Sequence, residues 1–204
     1  GHPLLEDKRD TKIDLNHLVG RNKALISIFA GSRISEINML MPILLNFIKL
    51  MKVKYNDITF VFHSTKEHSE LIKSYINNIE LTNCEVISDD KIKTHLLKKS
   101  IFAVAKSGTV SLEICNSKIP SVILYKMNFI NFLIIKMLVK TKYANIINIA
   151  ANKEIIPELL QSNCNAKNIY EVVSDFLNTP SKIKEQVKKT QTILNQFKTD
   201  KSSS

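Results

Sequence analysis

Ala24-Leu-Ile-Ser-Ile-Phe-Ala-Gly-Ser-Arg-Ile-Ser-Glu36 is an apolar run that ends in a glycine turn and passes into a helical pattern. Ala24–Phe29 predicts a buried strand. Ile37, Leu40, Met41, Leu44, Leu45, Ile48 and Met51 recur at helical spacing and predict an amphipathic helix with Ser35 as its cap. Pro42 lies inside that pattern and predicts either a kink or the true first turn. The same cassette returns further along. Ile101-Phe-Ala-Val104 leads into Ser107-Gly108-Thr109, and Thr109 starts a helix through Cys115.

Only four glycines occur in the chain, and Gly31 and Gly108 are two of them. A turn of this kind leaves N–H groups unpartnered at a helix start, where the helix dipole favours an anion. Two such turns in one α/β sheet point to a phosphate-bearing ligand across the strand ends. Tight turns without a ligand would use the same glycines.

Outward from the two cassettes, Ile58–Phe62, Cys84–Ile87 and Ser121–Leu124 read as three more strands. Helical patterns at 66–78 and from Asp89-Asp90 to Lys98 separate them. The alternation predicts an α/β fold with a doubly wound parallel sheet. Beyond Tyr125 the pattern is helical, over 128–141, 154–161, 166–177 and 181–197. Residues 1–22 read as a lead-in with one helical turn near Leu15–Val19, and 199–204 as a disordered tail.

At 204 residues and 44% hydrophobic, the chain can bury one full core. Cys84, Cys115 and Cys164 are widely spaced and odd in number, which argues against a disulfide framework and a zinc site. A reducing compartment fits. No signal peptide is recognised and no apolar run reaches the length needed to span a bilayer, so a soluble or peripheral protein is expected. The chain opens on Gly1 rather than methionine, which suggests a start inside a longer protein. The net charge of +10 comes from scattered lysines rather than one basic stripe. No nucleic-acid module is recognisable, so no nucleic-acid partner is expected; an anionic membrane surface or a phosphorylated substrate remains open.

Arg33 follows the first glycine turn, and its rigid fork of donors suits a diphosphate. Ser107 and Thr109 carry hydroxyls that suit the same phosphate or a helix cap. Glu113 lies one turn beyond Thr109 on the same face, where a carboxylate can accept from ribose hydroxyls. His63 ends a strand near this edge, whereas His68 and His95 fall on polar helices. No Ser-His-Asp or metal-ligand spacing emerges. Residues 125–143 are apolar yet studded with lysines, which suits either a helix covering the sheet or a membrane interface.

The cassettes in this order resemble the lipid-A-disaccharide synthases. The matching stretches begin with Gly1-His2-Pro3, Phe29-Ala-Gly-Ser-Arg33 with Glu36, and Ser107-Gly-Thr-Val-Ser-Leu-Glu113. Pro120 with Tyr125-Lys-Met127, and Leu138-Val-Lys-Thr-Lys-Tyr143, come next. Asn148, Glu154 and Glu158-Leu-Leu-Gln161 complete the set.

The resemblance implies an inverting glycosyltransferase of GT-B architecture, two Rossmann-like domains facing a cleft. Such an enzyme joins UDP-2,3-diacylglucosamine to 2,3-diacylglucosamine 1-phosphate, releasing UDP and forming the β-1,6 lipid A disaccharide. It implies no cofactor and no metal. This chain corresponds to the C-terminal, donor-binding half. Its expected parts are a hinge at 1–22, a UDP-sugar-binding Rossmann-like domain at 23–178 and a crossover helix at 179–198.

Carried over by the resemblance, Arg33 and Asn148 have catalytic roles, and Arg33 steadies the leaving UDP. Gly31, Ser32, Arg33, Ser107, Gly108, Thr109, Glu113 and Asn148 bind the donor. The general base belongs to the N-terminal acceptor domain, so the isolated chain is expected to bind UDP without turnover. A truncated, non-catalytic UDP-sugar-binding module is the competing reading. Cytoplasmic placement, peripheral on the inner face of a Gram-negative inner membrane, follows from the family's lipid-linked substrates. A homodimer through the last helix is one expected fate for its apolar face, and packing on its own domain is the other. Two departures flank Asn148: Ile147 stands where the family often has proline, and Asn152 where it often has glycine.

Overall fold

The computed structural model describes residues 24–79 and 81–202. The lead-in, with its expected hinge and helical turn, lies outside the described residues.

Six parallel strands form one sheet: β1 (Ala24–Phe29), β2 (Ile58–His63), β3 (Cys84–Ile87), β4 (Phe102–Lys106), β5 (Ser121–Tyr125) and β6 (Glu158–Leu160). Their order is β3-β2-β1-β4-β5-β6. Ile28 pairs with Phe62 on one side and Val104 on the other, so β1 is central. The order reverses between β1 and β4, and there the two glycine cassettes leave the sheet together.

The helices between are α1 (Ile34–Lys54), α2 (Ser69–Asn77), α3 (Asp90–Lys99), α4 (Val110–Asn116), α5 (Phe129–Leu138) and α6 (Ile146–Ala151). After β6 and a single 3₁₀ turn come α7 (Ala166–Asn178) and α8 (Pro180–Ser202). Strand side chains alternate between faces. Ile26, Ile28, Phe60, Phe62 and Val104 pack with α1, α2 and α7. Ala103, Ala105 and Ile123 meet α4, α6 and α8 on the opposite face, where Leu25 and Val61 pack with α3. Helices thus cover both faces, which keeps the parallel strands dry.

Several sequence expectations need correction. Segment 154–161 is not a helix but contains β6, whose register with β5 pairs Leu124 with Leu159. Ser35 lies within α1; Arg33 occupies the cap position, without a side-chain bond to the helix. Pro42 does not mark the first turn: the helix begins at Ile34 and continues through it. At 21 residues α1 is long and apolar enough to cross a bilayer, contrary to the expectation that no run reaches that length. Its apolar stripe from Ile37 to Met51 is spent on the sheet. Residues 199–202 continue α8 instead of forming a disordered tail.

Helix α8 folds onto its own domain. Ile193 and Leu194 are buried beside Ile114 and Ile147. The Gln186 side chain accepts the Ser121 N–H at 2.7 Å and donates to the Ser121 C=O at 3.0 Å. None of the exposed large apolar side chains among the described residues lies on α8. Helix α5 behaves in the opposite way. It does not cover the sheet: none of its residues is buried.

Candidate functional site

Parallel strands place all their C-terminal ends on one edge, and a cleft of about 930 Å³ opens there around the β1/β4 reversal. Gly31, Ser32 and Arg33 form one wall, and Ser107, Gly108, Thr109 and Glu113 another. His63 and Thr65, at the end of β2, and Lys93 on α3 close the far side. The cleft therefore unites every sequence-predicted site residue except Asn148.

Gly31 has φ +115, and a Cβ there would stand 2.7 Å from Glu36 Oε2. Only glycine fits this turn without strain. Glu36 explains the close approach: its Oε2 accepts the Ser32 N–H at 3.1 Å, while Oε1 pairs with Lys106 Nζ at 2.7 Å. Burial alone would raise the Glu36 carboxyl, but bonds from Lys106 and the Ser32 backbone outweigh it and hold it below its ordinary value. Lys106 immediately precedes the second glycine turn, so one carboxylate ties both turns together. Gly108 has nothing within 4 Å of a would-be Cβ.

Arg33 is exposed at the head of α1, and its guanidinium makes no ion pair among the described residues. The first-turn N–H groups of a helix have no intrahelical partner, so α1 presents donors beside that cation. Thr109 precedes α4 without a side-chain cap bond. Ser107 differs from expectation. Its hydroxyl donates to the Ala144 C=O at 3.1 Å and is not free to donate to a phosphate. Glu113 is exposed on the cleft wall.

Asn148 stands outside this cleft. It is fully buried on α6, and its side-chain amide meets four partners. Nδ2 donates to the Ile156 C=O at 2.7 Å and to Glu158 Oε1 at 2.9 Å, while Oδ1 accepts from Ile155 and Ile156 N–H at 2.8 and 3.0 Å. Glu158 in turn accepts the Ala144 and Asn145 N–H groups, each at 2.8 Å. The Asn148 amide is thus engaged within segment 144–158, outside the cleft. Asn152 ends α6 at φ +49, a left-handed conformation that asparagine tolerates.

Sequence reasoning undervalued His63 and His68 and missed Lys93 and Lys106. Ser100 donates to the Leu96 C=O, so its 2.7 Å contact with Ser27 is a donation from Ser27. Ser27 Oγ then accepts from His63 Nε2–H at 2.7 Å, which leaves Nδ1 an acceptor with no partner among the described residues. Burial, aided by the Lys93 charge, pushes His63 down to about 3, so the ring is neutral. His68 Nε2–H donates to the Ser32 C=O at 3.1 Å and braces the first turn. Lys93 bonds Asp90 at 2.7 Å and the Ser64 C=O at 3.1 Å. Lys106 was legible, since it adjoins the Ser-Gly-Thr cassette; the others converge only through the fold. Among the described residues no cluster of metal ligands occurs.

A parallel sheet in this order, with a glycine-walled cleft at its reversal, defines the doubly wound, Rossmann-like α/β class. The chain belongs to the lipid-A-disaccharide synthetase family, whose family model matches residues 1–204. Lipid-A-disaccharide synthase of Rickettsia prowazekii is 37% identical over 95% of the chain, and that of Rickettsia typhi 36% over 100%. The chain spans about half the length of these relatives, 51% and 54% respectively.

Among solved structures, the C-terminal domain of a Francisella tularensis group 1 glycosyl transferase superposes at TM-score 0.55 and 13% identity, covering 85% of both chains. UDP-GlcNAc 2-epimerase from Neisseria meningitidis, solved bound to UDP-GlcNAc, gives TM-score 0.59 at 17% identity over 88% of this chain and 42% of that one. At these identities the likeness concerns the fold, a Rossmann-like half of the GT-B kind with additional C-terminal helices.

Proposed function

We propose that this chain is the donor-binding half of a lipid-A-disaccharide synthase. The reaction transfers 2,3-diacylglucosamine from UDP to 2,3-diacylglucosamine 1-phosphate. The observation that carries the reading is the convergence of both glycine turns, Arg33 and Glu113 on one cleft at the β1/β4 reversal. The unpartnered N–H groups at the start of α1, with Arg33 and Lys106, hold the diphosphate and offset charge as UDP departs. Gly31 and Gly108 let the phosphates approach the backbone, with Ser32 and Thr109 beside them. Glu113 accepts from the ribose. Ser107 and Asn148 act at one remove, fixing segment 144–158 against the cleft.

The acceptor site and general base belong to an N-terminal half, so the chain alone binds UDP but does not turn over. Calorimetric titration of UDP, beside an Arg33→Ala variant, tests the reading. Saturable binding that weakens at least about tenfold in the variant supports it, the loss expected for a charge-assisted contact. A folded chain that ignores UDP refutes it, and disaccharide synthesis by the chain alone refutes the inactivity.

The same reading places the protein on the cytoplasmic face of an anionic membrane, through the outer side of α5. Ile130, Ile134, Met137 and Leu138 are each at least half exposed there. Lys136, Lys140 and Lys142 flank them, and no acidic residue occurs between Glu113 and Glu154. Such a helix buries apolar area at the headgroup boundary while its lysines meet anionic lipid. Co-sedimentation with phosphatidylglycerol vesicles tests this; an Ile130→Glu, Met137→Glu variant that sediments unchanged sinks it.

A further inference from the structure

Helix α5 has a second apolar face. Phe132, Ile135 and Val139 point away from Ile130, Ile134 and Met137 and roof a separate cavity of about 480 Å³. Tyr125 and Leu160, at the ends of β5 and β6, and Ile149 on α6 complete its apolar lining. Volumes of roughly 300–1,000 Å³ are usual for small-molecule sites.

The polar groups nearby are already engaged. The Ala144 N–H goes to Glu158, and its C=O takes the Ser107 hydroxyl. Thr141 Oγ1 is occupied by the backbone of Tyr143. A peptide laid in this groove would find few partners for its own backbone, which a buried peptide must satisfy. A hydrocarbon chain needs none. The lysines at the rim, Lys136 and Lys142, suit a chain whose head is anionic.

The groove adjoins the cleft. Ser107 lines the cleft and Ala144 the groove, and the two are joined by the 3.1 Å hydrogen bond. Lys106 pairs with Leu124 across neighbouring strands, which lie about 4.8 Å apart. One ligand can therefore reach from one to the other along the sheet edge.

We infer that this groove holds an acyl chain of the same nucleotide-sugar donor whose diphosphate occupies the cleft. Helix α5 is then a two-sided element, with lipid against one face and the substrate's chain beneath the other. The inference rests on the donor reading above and adds to it the place where acyl length is sensed.

The test is calorimetric titration of the whole chain with UDP, UDP-N-acetylglucosamine and UDP-N-octanoylglucosamine, below micelle-forming concentration. The octanoyl donor binds at least about tenfold tighter than the acetyl one, the gain expected from burying roughly two methylenes. Ile149→Asp, at a position 43% exposed and so tolerant of change, abolishes that gain and leaves UDP affinity intact. Met137→Asp, on the outer face and 85% exposed, preserves it. UDP binding with equal affinity for both acylated donors overturns the groove alone. A gain lost equally in Met137→Asp assigns it to adhesion on the outer face and also overturns the groove. Failure of UDP itself to bind overturns the donor reading, and the groove with it.

Discussion

Glu36 Oε1 and Lys106 Nζ lie 2.7 Å apart, joining the helix that follows β1 to the end of β4 across the point where strand order reverses. The pair is partly buried, with side-chain exposures of 15% and 24%. It holds the two glycine turns in one register, and it leaves Lys106 beside the cleft that Arg33 also lines. A ligand phosphate entering there meets a cation already positioned by its carboxylate.

Separating the two partners distinguishes scaffold from ligand contact. Glu36→Gln lowers stability by roughly 1–2 kcal/mol at neutral pH and changes UDP affinity little, because the lysine charge remains. Lys106→Met costs similar stability but weakens UDP at least about tenfold. Chemical denaturation and UDP titration of both variants check this. The folded-state pKa of Glu36 is depressed below 4.5, so its contribution is present above that pH. It is lost as pH falls through the folded value, and the parent and Glu36→Gln curves converge there.

The two glycines respond differently. Gly31→Ala forces a side chain into φ +115 and against Glu36, and costs roughly 1–3 kcal/mol. Gly108→Ala meets open space and stays within about 0.5 kcal/mol of the parent. Its effect is on UDP, whose phosphates lose close access to the backbone. Thermal unfolding beside UDP titration separates the two losses.

His63 makes stability depend on pH. Its unfolded value is 6.5 and its folded value about 3, so between these the unfolded chain binds the extra proton. Stability therefore falls as pH drops from about 6.5 toward about 3, at up to about 1.4 kcal/mol per unit. His63→Gln removes that slope. Equilibrium unfolding across this range checks the sign, and a parent curve no steeper than the variant's would overturn it.

Asn148→Ala leaves the Ile155 and Ile156 N–H groups without their buried acceptor and costs roughly 2–5 kcal/mol. UDP affinity follows only through the loosened 144–158 segment. A variant with unchanged melting temperature and lost UDP binding would return Asn148 to direct ligand contact.

Local chemistry determined much of this protein from the sequence alone. Ala24–Phe29 is apolar without alternation because the strand is covered on both faces, and Gly31 and Gly108 announce turns at its edge and at the edge of β4. The parallel α/β class, the two glycine turns at the strand ends and the nearness of Arg33 and Glu113 to those turns followed from these periodicities and from ordered motifs.

Tertiary structure decided the rest. β6 has three residues, too few for any period, and exists because β5 offers it an open edge. Asn148 sits on an apolar helix where only the fold shows its amide to be consumed by the 155–158 turn. The two faces of α5 cannot be told apart by composition, since both are apolar; one meets solvent and the other roofs a groove only because β5, β6 and α6 end beneath it. Hydrophobic pattern reports that a side chain leaves water, whereas its partner is set by chain crossings distant in sequence.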